Sequence, residues 1–77
     1  MNKPRKYHYN FCFKRGNYRD VCGELAERYS KFFSGSGVFL LDGSFDVSFI
    51  CTSGQANNIS RYIRRNLPKA AMSRMEV

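Results

Sequence analysis

Between Tyr7 and Lys14 apolar and polar residues alternate without a break, Tyr7, Tyr9, Phe11 and Phe13 against His8, Asn10, Cys12 and Lys14. A period of two describes an extended strand with one buried face, so the rest of the chain must cover that aromatic stripe. At 77 residues the chain lies near the lower limit for a core that folds unaided. The rings are therefore needed as interior, which makes the stripe core rather than a base-stacking surface. One domain is expected, with no room for a second.

After Gly16, Asn17 is placed to cap a helix whose third residue, Asp20, puts negative charge at the positive end of the dipole. Tyr18, Val21, Cys22, Leu25, Tyr29, Phe32 and Phe33 then recur on one helical stripe. Glu24 with Arg28 and Glu27 with Lys31 form i,i+4 pairs on the other side. Gly23 weakens this helix and is read as a close approach to the sheet. Ser34-Gly35-Ser36-Gly37 is read as its stop, with Gly35 as the left-handed residue.

Val38 to Leu41 and Phe45 to Thr52 read as the strands of a hairpin around Asp42, Gly43 and Ser44. Phe45, Val47, Phe49 and Cys51 face the core; the turn length leaves open whether Val38 and Leu40 or Phe39 and Leu41 join them. Either way apolar residues point outward, and with Ile50 they make a patch, so Phe39, Leu41 and Ile50 are candidate self-association residues for a homodimer. Thr52-Ser53-Gly54-Gln55 has the form of a capping box. It opens a second helix with the stripe Ala56, Ile59, Tyr62, Ile63 and Leu67, ended by Pro68.

The predicted class is α+β, in the order β-α-β-β-α, a three-stranded mixed sheet with two helices packed on one face. Residues 1–6 are a flexible basic arm, 7–68 a single α/β domain and 69–77 a frayed basic tail. This order resembles that of the DNA-damage-inducible DinI proteins, and Gly23-Glu24-Leu25 with Arg28 is similar to their first helix. The resemblance implies binding to a recombinase filament. It stops at the last helix, acidic in those proteins and basic here. A sheet of the RNA-recognition type needs a fourth strand after the last helix, and nothing beyond Pro68 reads as one.

The chemistry-bearing residues are few. One His and three scattered Cys offer no metal-ligand pair; His8 and Cys12, four apart on a strand, are about 13 Å from each other. No nucleophile has a base beside it, so no catalytic residue and no cofactor is assigned. Asp42 and Asp46 are the only carboxylates that a small metal-dependent nuclease reading can use. The odd, dispersed cysteines fit reduced thiols and a cytoplasmic setting. A mean hydropathy of -0.49 and a longest apolar run of Val38 to Leu41 exclude a membrane-spanning helix, and no membrane partner is expected.

Charge is the remaining signal. Of the 13 Lys and Arg residues, ten lie in positions 1–15 and 55–77. Lys3, Arg5, Lys6, Lys14, Arg15, Arg61, Arg64, Arg65 and Lys69 are the candidate binding residues, for nucleic-acid phosphates or an acidic protein surface. The first reading is a non-catalytic nucleic-acid-binding module. The second is a phage- or plasmid-type inhibitor or adaptor docking on an acidic host surface, similar to anti-CRISPR proteins in size and lack of motifs.

Overall fold

A computed structural model describes residues 5–76. The elements are β1 (Lys6–Phe13), α1 (Tyr18–Arg28), β2 (Phe33–Val38), β3 (Phe45–Thr52), α2 (Ser53–Asn66) and β4 (Ala70–Glu76). The four strands form one antiparallel sheet in the order β2-β3-β1-β4, and the two helices cover one face. This is the β-α-β-β-α-β arrangement of ferredoxin-like folds. The α+β class and the single helical layer agree with the expectation; the three-stranded mixed sheet does not.

Two strands account for the difference. Residues 70–76 are not a frayed tail but β4, paired with β1 from Phe13↔Ala70 to Tyr7↔Glu76. The domain therefore runs past 68, and β1 starts at Lys6, inside the expected arm. The chain also departs from the DinI-like order, which has no strand after its last helix. At the other edge, Ser34 to Gly37 is no helix stop. It lies within β2, where Ser36 stands opposite Val47 and Val38 opposite Phe45.

Helix α1 ends earlier than its apolar stripe. Tyr29 is its C-cap, its N–H reaching the Leu25 carbonyl, and Phe33 turns into β2 opposite Phe49. The positive-φ glycines are Gly16 and Gly43, not Gly35. A Cβ on Gly23 meets nothing within 4 Å, so that glycine marks no close approach to the sheet. Both N-caps hold as read: Asn17 Oδ1 accepts from the Asp20 N–H at 3.1 Å, and Thr52 with Gln55 closes a capping box.

The interior lies between sheet and helices. Tyr9, Phe11, Phe13, Phe45, Val47, Phe49 and Cys51 from the strands are buried against Val21 and Leu25 of α1 and Ala56, Ile59 and Ile63 of α2. Edge-to-face pairs such as Phe11–Phe49, with centroids 5.9 Å apart, fill it at favourable angles. The helices meet where Tyr62 of α2 donates a hydrogen bond to Glu24 of α1 and lies under the Arg28 guanidinium at 4.1 Å. That bond to Glu24 raises the Tyr62 phenol above its usual pKa.

Candidate anion-binding site

Strand alternation sends every Phe and Tyr of the strands toward the helices. The opposite, open face carries Lys6, His8, Asn10 and Cys12 of β1, Asp46, Ser48, Ile50 and Thr52 of β3, and Ala71, Ser73 and Met75 of β4. Ser48 donates to Asn10 across the strands at 2.8 Å. A fourth strand is present after all, yet no Phe or Tyr ring of the strands stands on this face, whose one ring is the His8 imidazole. Base stacking of the RNA-recognition type is therefore unsupported here because of the orientation of the rings, not for want of a strand.

The cations are sorted by the ends of the sheet. Arg5 and Lys6 lie where β1 begins, and Arg5 Nη1 pairs with Glu76 Oε1 at 3.3 Å. Lys14 and Arg15 lie where β1 has ended, eight residues along, or roughly 27 Å at the usual rise. Lys69 precedes Ala70, the partner of Phe13, and so falls beside them. Lys14, Arg15, Pro68, Lys69, Ala70 and Ala71, with Cys12, line an open cleft of ≈ 690 Å³. On the helix side of β4 a second cleft, of ≈ 430 Å³, runs between Ser60 and Arg64 of α2 and Ala70 and Met72 of β4, with Lys69 shared between the two clefts.

Local structure explains the convergence. Thr52 caps α2 at the Lys6 end of the sheet, since Thr52 stands opposite Lys6. The helix then runs back, so that its last turn, with Arg64 and Arg65, arrives at the Lys14 end. There the cations also complement the negative end of the helix dipole. The carboxylates at this end are Asp20, in the first turn of α1, and Asp42 and Asp46 on either side of Ser44. Asp42 is held below the usual carboxylate range by hydrogen bonds from the Ser44 hydroxyl, at 2.7 Å, and the Ser44 N–H, at 2.9 Å, with a smaller contribution from Lys14. Asp46 stands opposite Cys12 on β3. None of the three lines the cationic clefts.

Of the nine candidate binding residues, Lys14, Arg15, Arg64 and Lys69 are brought together around the start of β4. Arg61 and Arg65 are exposed on α2 and line neither cleft, Arg5 and Lys6 are at the far end, and Lys3 lies outside the described residues. Arg74 was missed, being read as part of the tail; its guanidinium stacks on Tyr7 at 4.4 Å. Phe39 and Leu41 do not share a sheet face with Ile50. They lie beyond β2 in a loop closed by the Phe39 N–H to the Ser44 carbonyl at 2.7 Å. This loop exposes Phe39, Leu40 and Leu41 at the Lys14 end of the sheet. Leu40, 92% exposed, was not among the expected contact residues.

Among the described residues no three His, Cys, Asp or Glu side chains group as metal ligands. Cys12, Cys22 and Cys51 are free thiols, and burial pushes the Cys51 thiol up. No helix is long and apolar enough to cross a membrane. No family model, curated protein or solved structure matches the chain, so the site is read from its own geometry.

Proposed function

We propose that this protein is a small, non-catalytic binding module that contacts nucleic-acid phosphates through Lys14, Arg15, Arg64 and Lys69. One observation carries the reading: four cations from the β1–α1 connection, α2 and the α2–β4 connection line two adjoining clefts whose walls hold no carboxylate. Arg supplies forked donors suited to phosphate oxygens and Lys a mobile point charge. With no Phe or Tyr ring on the open sheet face, the contacts are to backbone rather than to bases, and little sequence preference is expected. The test is affinity for mixed-sequence oligonucleotides as a function of salt. Four phosphate contacts predict a log-log slope of about -3 for single strands, or roughly a 60-fold loss over a fourfold rise in salt. A flat slope, or no binding at low salt, overturns the reading.

The exposed loop favours a second reading, an adaptor or inhibitor that docks on an acidic protein surface. Phe39, Leu40 and Leu41 contribute nothing to phosphate contact, whereas an apolar anchor beside a cationic rim suits a protein interface. A stoichiometric partner recovered from nuclease-treated lysate, and lost with Leu40→Ser and Leu41→Ser, selects this reading over the first.

A further inference from the structure

The two edges of the sheet are built differently. β2 is interrupted by a bulge between Phe33 and Gly35, a device that discourages another strand from adding there. β4 has no bulge, and its two charges, Arg74 and Glu76, are engaged with Tyr7 and Arg5 of its own chain. Its seven residues pair with β1 without a register shift, contain no proline, and leave Met72 51% and Met75 60% exposed, one on each face of the sheet.

Self-pairing of β4 is tightly constrained. Ala70, Met72, Arg74 and Glu76 stand on the helix side, and Ala71, Ser73 and Met75 on the open side. A two-fold axis normal to the sheet must oppose residues of the same face, and full overlap of Ala70–Glu76 then centres on Ser73. In that register Met72 meets Arg74 of the other copy and Met75 meets Ala71, so each methionine gains a neighbour and no two like charges stand directly opposite. Helix α2 packs over β3 and β1, so the α2 axes of two copies lie about four strand spacings apart, roughly 19 Å. Subtracting one helix diameter leaves a gap of about 8 Å, wide enough for one extended strand and too narrow for a duplex. Its walls are Ser60 and Arg64, and its floor Met72 and Arg74, from both copies.

We infer that β4 pairs antiparallel with β4 of a second copy, centred on Ser73, so that the two α2 helices wall a cationic channel for a single nucleic-acid strand. The channel's ligand rests on the function proposed above; the pairing does not.

The pairing is tested without nucleic acid. Ser73→Cys is expected to cross-link two copies on mild oxidation, because Cα atoms at a two-fold centre fall within disulfide range; Gly35→Cys on β2, where a Cβ meets nothing within 4 Å, is expected not to. In sedimentation, Met72→Lys sets a new cation opposite Arg74 twice per dimer and weakens association about tenfold. Adding Arg74→Glu to Met72→Lys restores it, with circular dichroism showing each variant folded. A wild-type monomer at high micromolar concentration, cross-linking through Gly35→Cys instead, or no rescue overturns the pairing. A dT oligonucleotide and its duplex with dA then test the channel, the single strand being expected to bind more tightly to the dimer. Binding by a strictly monomeric protein overturns this inference and leaves the proposed function standing. A dimer that binds no oligonucleotide overturns the proposed function and the channel, and leaves the pairing.

Discussion

The two ends of β1 carry similar numbers of cations and offer them differently. At the first end Arg5 is drawn to Glu76, the residue that ends β4. At the other, Lys14 and Arg15 meet Lys69 where β4 begins, and α2 delivers Arg64 to the same place. The contrast shows that what concentrates charge here is topology, not composition. Strand β1 spends its length between two basic clusters, and the antiparallel return of α2 and β4 decides which cluster grows.

The largest expected effect destroys the contrast altogether. Phe49 is fully buried against Phe11, Phe33 and Tyr29. Phe49→Ala is expected to cost about 3–5 kcal/mol, comparable with the whole stability of so small a domain. Its thermal transition by circular dichroism should be lost or lie far below that of the parent. A smaller change acts at one end only. Thr52→Ala removes the capping box beside Lys6 and is expected to cost about 1 kcal/mol. Amide exchange should quicken in the first turn of α2, while oligonucleotide affinity, which the proposed function assigns to the other end of the helix, should stay unchanged.

Smaller still is the ion pair at the first end. Arg5 and Glu76 are 71% and 74% exposed, and Arg5→Gln should shift stability by under about 1 kcal/mol in a denaturant titration. At the other end the loop after β2 has its own pH response. Asp42 is held below its ordinary pKa by the Ser44 hydroxyl and N–H. Its contribution to loop order is therefore full above the unfolded-state pKa and is lost as pH falls through the lower, folded value. The Ser44 amide resonance should report that transition below the ordinary carboxylate range. Asp42→Asn, which keeps the acceptor, should abolish the pH response and leave the loop closed at neutral pH.

Where side chains dictate structure, the sequence was legible. The alternation of Tyr7 to Lys14 is β1, and the Asn17 and Thr52 caps begin helices where read. Strand β4 was illegible because it alternates in nothing: Ala71 to Glu76 are exposed on both faces, and main-chain bonds to β1 hold the segment. Strand β2 was hidden by its glycines, which look like a turn until β3 is there to pair with them. The Tyr18 hydroxyl and Cys22 thiol of α1 both reach the Ser36 Oγ, at 2.9 and 3.1 Å, a tertiary contact with no local signal. The candidate site was legible in residue type alone. Which four of nine cations converge follows from β4, the element the sequence concealed.

The central claim, that phosphate contact belongs to one end of the sheet, is tested most directly by neutralising two cations at each end and comparing salt dependence on one single-stranded oligonucleotide. Lys14→Gln with Lys69→Gln should flatten the log-log slope by about 1.4, two contacts' worth, and Arg5→Gln with Lys6→Gln should leave it unchanged. Equal flattening by both pairs, or flattening by the second alone, would contradict the account.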